Sequence, residues 1–220
     1  RSQPFICTNA SGSGSDGGGS NTTTANHIYT VANGEIYNHR VIREYIKYPY
    51  KTGSDCEVII ALSREYFTGQ KTAQHAIDLL DGIFAFVTCY GDKFIAARDP
   101  IGVNPLFYGT SPDGSIVFAS EAKVFTILRG FTVNEFPAGH YMTETMDAPV
   151  QWYTALNKTV VSSRAPDPFI IRHLLTTSVT KRMMSDVPFG VLLSGGLDSS
   201  LIAAIASREK KKIGSNIHTF

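Results

Sequence analysis

At 220 residues the chain is long enough for one large domain or two modest ones. Hydrophobic residues make up 43% and charged residues 18%, the balance of an ordinary globular protein, and a net charge of +1 supplies no bulk field that would draw nucleic acid or a membrane surface. Three widely spaced cysteines, Cys7, Cys56 and Cys89, form no CxxC pair, which argues against a disulfide framework or a structural zinc site. With no membrane-length apolar run and no signal pattern, the expected compartment is the cytoplasm.

The chain starts at Arg1 without methionine and stops at Phe220 inside the β-prone run Ile217-His218-Thr219-Phe220, so an internal piece of a longer protein is expected. Residues 11–26 are almost entirely Ser, Gly, Asn, Thr and Asp and cannot bury enough apolar area to offset chain entropy, which predicts a flexible loop. Ile28 to Ala32 is β-branched and aromatic and predicts a strand, with Asn33-Gly34 ending it in a turn. Helical spacing of Val58, Ile59, Leu62 and Tyr66 predicts a helix from Glu57 to Tyr66.

From Asp81 to Phe118 the pattern changes to short strands and turns. Ile83–Thr88 and Phe94–Ala97 flank a Tyr90-Gly91-Asp92 turn, and Leu106–Tyr108 and Ile116–Phe118 flank Pro112-Asp113-Gly114-Ser115. Antiparallel strands with a packed helix predict an α+β sandwich. Thr154 to Asp167 is polar and aperiodic and reads as a linker, placing a domain boundary near residue 160. Asp167 then caps a helix with Pro168 in its first position, running to Met183 and burying Ile171, Leu174, Leu175 and Val179. A short strand, Phe189–Leu193, follows. Helix, strand, glycine turn and helix form the opening of an α/β domain, and Lys210, Lys211 and Lys212 read as a solvated helix end beside the dipole.

Ser194-Gly195-Gly196-Leu197-Asp198-Ser199-Ser200 is the most specific segment. Paired glycines let backbone approach a ligand, and the N–H groups at the start of the next helix favour an anion, with hydroxyls of Ser194, Ser199 and Ser200 as further donors. Asp198 would repel a phosphate unless a cation mediates, which suggests magnesium. The bland alternative is a glycine turn before a serine-capped helix, with no ligand. In the first half, Asn33-Gly34-Glu35 can aim an amide and a backbone N–H at one oxygen as an oxyanion hole, or can simply turn. Asp55 can cap the following helix or bind an ammonium.

Ser194–Ser200 resembles the pyrophosphate loop of the ATP pyrophosphatase superfamily, and Ser185–Leu193 resembles asparagine synthetases in particular. The segments Asn33–Asn38, Asp81–Phe86, Arg98–Tyr108, Ala119–Lys123 and Phe136–Gly139 resemble, in order, the class II glutamine amidotransferase domain that opens those enzymes. The resemblance implies an Ntn-type αββα glutaminase sandwich lacking its N-terminus (1–160), followed by the start of a parallel-sheet pyrophosphatase-type domain (161–220). It further implies an oxyanion hole of Asn33 and Gly34, a glutamine head group held by Glu35 and Asp55, and ATP held by Leu192, Leu193, Ser194, Gly195, Gly196, Asp198, Ser199 and Ser200, with Mg2+ on Asp198.

The implied activity is amidation of aspartate through a β-aspartyl-adenylate, with ammonia supplied by glutamine. Partners would be small molecules, with neither nucleic acid nor membrane, and a homodimer is left open. Arg98, Asp99 and the Glu121–Lys123 region are assigned no chemistry. The N-terminal cysteine nucleophile of such glutaminases is absent from the sequence, as is the upstream arginine that grips the substrate carboxylate. None of Cys7, Cys56 or Cys89 is positioned to replace that cysteine, so the 220 residues alone are expected not to hydrolyse glutamine. Two alternatives are a β-lactam-synthetase-like relative without glutaminase activity, and a truncated, non-catalytic nucleotide-binding or interaction protein.

Overall fold

The computed structural model describes residues 3–8, 27–155, 165–185 and 187–220. The expected loop at 11–26 lies outside these residues, as do Asp186 and the positions around 160 where the sequence places the domain boundary. The chain divides into two compact units, Arg1–Thr159 and Val160–Phe220.

In the first unit, β1 (Phe5–Thr8) and β2 (His27–Ile36) are followed by α1 (His39–Tyr45), α2 (Glu57–Phe67) and α3 (Ala73–Asp78). Then come β3 (Gly82–Tyr90), β4 (Lys93–Arg98), β5 (Phe107–Thr110), β6 (Ile116–Ala119), β7 (Asn134–Glu135), β8 (His140–Thr143) and β9 (Val150–Gln151). One sheet has the order β1-β2-β3-β4-β8-β9 and a second the order β6-β5-β7. All their pairings are antiparallel.

Strand β3 is the hinge of the architecture because both of its faces are covered. Phe84 and Phe86 pack into a core shared with the helices, while Ala85 and Val87 pack into a second core with Leu106, Phe136 and Met142. That double burial explains its unbroken apolar run. Helix α2 buries far more than one stripe, with Val58, Ile59, Ile60, Ala61, Leu62 and Ser63 all enclosed, so it is a core helix rather than a surface one. The buried Thr30 and Thr88 hydroxyls satisfy each other across β2 and β3 at 2.9 Å. The layers are therefore helices, six-stranded sheet and three-stranded sheet. On the outer face of the second sheet, the 3-10 turn Ala122–Thr126 sets buried Phe125 against Gly109, where a Cβ would lie 2.6 Å from the ring.

Asn33-Gly34 is not a turn. Strand β2 runs straight through it to Ile36, with Asn33 opposite Ala85 and Gly34 opposite Phe84. Gly34 has φ +145, and a Cβ there would sit 2.0 Å from the Ile83 carbonyl oxygen, so the glycine serves close approach of β2 and β3 rather than chain reversal.

The second unit contains α4 (Pro168–Arg182), β10 (Gly190–Val191), α5 (Leu197–Lys212) and β11 (His218–Thr219). Asp167 caps α4 by accepting the Phe169 N–H at 2.8 Å. Strands β10 and β11 pair in parallel with α5 as their crossover, a βαβ unit. The pairing is extended by Leu193 N–H to Phe220 O at 2.7 Å, although the ladder is shorter than the expected Phe189–Leu193 strand. The expected burial of the α4 face does not occur: Ile171, Leu174 and Leu175 are exposed and Val179 is half-buried. The described residues cover it only with α5 and a two-residue ladder, too little surface to enclose the stripe.

Arg98 and Asp99 are structural. Asp99, 1% exposed, accepts N–H groups of Ile101, Gly102 and Val103 and of Phe84. Arg98 donates to the carbonyls of Asn104, Phe136 and Gly102 and to Glu135. The pair folds the 100–104 loop against both sheets. Arg98→Ala strips the donors from these carbonyls and is expected to cost about 3 kcal/mol in urea unfolding. A loss below about 1 kcal/mol would contradict this role.

Candidate functional site

The outer edge of β2, the side turned away from β3, is closed piece by piece. Strand β1 pairs as far as Thr30. Beyond it the Gln3 side-chain amide takes over, accepting Ala32 N–H at 2.9 Å and donating to Ala32 O at 2.6 Å. Two residues further, the Cys56 thiol donates to Gly34 O at 3.4 Å, and Asp55 Oδ2 accepts Ile36 N–H at 2.7 Å. The alternation of an antiparallel ladder turns the Gly34 N–H toward this same edge, between the Gln3 and Asp55 clamps, and no described side chain accepts it.

Asn33 and Glu35 flank that donor and point to the face opposite Gly34. Asn33 lines a cavity of about 150 Å3 between the two sheets, with Gln3, Val31, Leu106, Phe118 and Ser120. A side-chain amide and an adjacent unaccepted N–H on one strand edge can together hold one carbonyl oxygen. Asp55 does not cap α2; the residue before that helix is Cys56, and the Asp55 carboxylate instead reaches β2, on the peptide that follows Glu35. The structure thus brings Asn33, Gly34, Glu35 and Asp55 together. Two carboxylates so placed suit an ammonium group. The clamp of Asp55 on Ile36 had no signal in the sequence, because it joins residues 19 apart across α1 and the loop that follows it.

Cys56 lies behind this edge in the helical core. Burial first, then the negative charges of Asp55 and Glu35, push its thiol up to about 12. It is protonated at neutral pH and serves as a packing group rather than as a nucleophile. Cys7 is buried in β1, and Cys89 is exposed on β3.

In the second unit, Leu192, Leu193, Ser194, Gly195, Gly196, Asp198, Ser199 and Ser200 run contiguously from the end of β10 into the first turn of α5. Gly195 has φ +82, which favours glycine, and Gly196 precedes the helix in extended conformation. The Ser194 and Ser199 hydroxyls lie 3.0 Å apart across the bend, and Ser199 also bonds Gly196 O at 3.2 Å. Nothing stands within 4 Å of a Cβ built at Gly195, and only Ser194 Oγ approaches one at Gly196. The loop is therefore an open cradle at the carboxyl end of a parallel strand, headed by the unbonded amides of a sixteen-residue helix. This fits a phosphate group. Asp198 is exposed in that first turn, and no cluster of three or more His, Cys, Asp or Glu among the described residues could hold a metal. A cation at Asp198 would take its remaining ligands from phosphate oxygens and water. No helix among the described residues is long and apolar enough to cross a membrane.

Comparison with known proteins agrees with this division. The family model for the glutamine amidotransferase domain matches residues 15–127, and that for asparagine synthase matches residues 170–220. Glutamine-hydrolyzing asparagine synthetase 2 of Arabidopsis thaliana is 45% identical over 205 residues, covering 88% of this chain and 34% of that protein. The corresponding enzyme of Zea mays is 42% identical over 206 residues, covering 88% and 33%. The chain thus spans about a third of the length of the curated relatives it matches. Among solved structures, the glutamine phosphoribosylpyrophosphate amidotransferase from B. subtilis aligns with 99% of this chain and 48% of its own, at a TM-score of 0.51 and 18% identity, a likeness of fold.

The raised Cys56 thiol gives a pH-dependent prediction. Burial raises the Cys89 thiol as well, but it is exposed on β3. Iodoacetamide at pH 8, read by peptide mass mapping, is therefore expected to label Cys89 faster than the enclosed Cys56, whose thiol is pushed up to about 12. Because the folded value exceeds that of an unfolded thiol, about 8.5, Cys56 contributes stability that is complete below that pH and is lost as pH rises toward the folded value. Equal labelling of the two thiols at pH 8 would contradict the core assignment.

Proposed function

We propose a function from one premise: the chain belongs to the glutamine amidotransferase domain family and continues into the start of an asparagine synthase domain. On this reading it is part of a glutamine-dependent asparagine synthetase, a carbon–nitrogen ligase. The first unit takes glutamine as the ammonia source, and the second takes the phosphates of ATP. The observation that carries the reading is the Gly34 N–H, open at the β2 edge beside the Asn33 amide.

Asn33 and Gly34 would donate to the side-chain carbonyl oxygen of glutamine, and their hold strengthens as that oxygen gains negative charge. Glu35 and Asp55 would take its α-ammonium. The thiol nucleophile of such domains is not among the 220 residues, so cleavage itself is assigned to no residue here.

In the second unit, the amides at the head of α5 and the hydroxyls of Ser194, Ser199 and Ser200 would hold phosphate oxygens. Leu192 and Leu193 lie at the strand end where the nucleotide would meet the chain. Asp198 would contribute a carboxylate to Mg2+, which neutralises phosphate charge when bound. Adenylation turns a carboxylate of aspartate into an electrophile that ammonia can attack, with AMP leaving. The same reading puts the protein in the cytoplasm, with small-molecule partners.

Calorimetric titration of the chain separates the two halves. L-Glutamine is expected to bind the chain, and Asn33→Ala to weaken it about tenfold without changing Mg-ATP uptake. Asp198→Asn is expected to weaken Mg-ATP about tenfold without changing glutamine. Mg-ATP uptake indifferent to Asp198, or glutamine uptake indifferent to Asn33, would overturn the corresponding half.

A further inference from the structure

The loop that delivers Asp55 to β2 is organised by one buried carboxylate. Glu57, only 2% exposed, stands at the start of α2 with its side chain turned back into the loop. Its Oε1 accepts the Lys51 N–H at 2.6 Å, and its Oε2 accepts the Thr52 N–H at 2.8 Å and the Thr52 hydroxyl at 2.7 Å. Arg43 on α1 closes the other side. Its Nη2 lies 3.4 Å from Glu57 Oε2 and donates to Thr52 O at 3.0 Å and Ser54 O at 2.7 Å. The guanidinium also rests over the Tyr50 ring at 4.2 Å. Thr52 Oγ1 in turn accepts the Ser54 N–H at 3.1 Å. The backbone from Lys51 to Ser54 is therefore wrapped around an ion pair, and both members of the pair bond to it.

We propose that Glu57 and Arg43 are positioning residues for recognition of an amino-acid head group, acting through Asp55. The inference rests on the reading above that Asp55 takes the α-ammonium of glutamine. The wrapped loop ends at Asp55 and Cys56, which meet β2 at Ile36 and Gly34. If the wrap loosens, Asp55 loses the fixed backbone that aims it, while Asn33 and Gly34 stay held by their ladder with β3. The clasp thus governs the ammonium half of the site and not the carbonyl half. A carboxylate is required at 57 because all its loop partners are donors, and a carboxamide would turn its own N–H groups toward some of them. An arginine is required at 43 because it reaches two carbonyls and stacks at once.

The test compares L-glutamine with glutaramate, which keeps the side-chain amide and a carboxylate but lacks the α-ammonium, by calorimetric titration of the chain. The wild-type chain is expected to prefer glutamine. Glu57→Gln is expected to weaken glutamine about tenfold while glutaramate changes by less than about twofold, a change in ratio that general loss of folding would not produce. Thr52→Val removes a single hydroxyl from the clasp and is expected to act in the same direction more weakly, and it decides the matter if Glu57→Gln does not fold. Unchanged glutamine-to-glutaramate ratios in the folded variants would overturn the positioning role. Equal binding of both compounds by the wild-type chain would instead overturn the ammonium role of Asp55 on which it depends.

Discussion

The site depends on how closely β2 approaches β3. At Gly34 the separation leaves no room for a Cβ, which would stand 2.0 Å from the Ile83 carbonyl, and at Gly82 a Cβ would stand 2.2 Å from the Glu35 carbonyl. Two glycines on facing strands let the ladder run unbroken from Ile28 to Ile36. The continuity of that ladder fixes which backbone groups face outward, and hence that Gly34 presents its N–H at the open edge between Gln3 and Asp55. Every other feature of the first unit's site is a consequence. Asn33 and Glu35 share a face because the strand does not turn, and Asp55 can reach Ile36 because the strand is still extended there.

Much of this architecture was legible in the sequence, for physical reasons that differ between elements. Strand β3 could be read because double burial demands an unbroken apolar run, and α2 because its apolar positions recur at helical spacing even though the helix buries more than one face. Asn33-Gly34 misled because the dipeptide is equally suited to a hairpin turn and to close strand approach. Only the strand opposite distinguishes them, and that strand lies some fifty residues away in the chain. Helix α1 was missed because Asn38, which precedes it, does not cap it. The Asn38 side chain donates to Leu79 O and accepts the Asp81 N–H, a tertiary tie with no local signature. Likewise the sequence left Asp55 open between a helix cap and an ammonium ligand, and in the structure its carboxylate does not cap α2 but clamps Ile36 on β2.

In the second unit the local signals were sound, and the tertiary expectation was not. Asp167 and Pro168 start α4 as proline and capping chemistry dictate, and the glycine bend sits between strand and helix as its residue pattern requires. The apolar stripes of α4 and α5 nevertheless remain largely exposed, because a helix pair and a two-residue parallel ladder offer too little surface to enclose them. A glycine bend between a strand end and a helix start needs only those local elements, so its geometry is formed even where the surrounding core is thin.

The most direct test of the account is the backbone amide of Gly34 itself. In a 15N-labelled chain titrated with L-glutamine, the Gly34 amide resonance and the Asn33 side-chain amide pair should move together and saturate at one ligand concentration, while amides of the β3–β4 turn around Gly91 stay fixed. Movement scattered over the surface, or saturation that leaves Gly34 in place, would show that this edge of β2 does not receive the substrate oxygen.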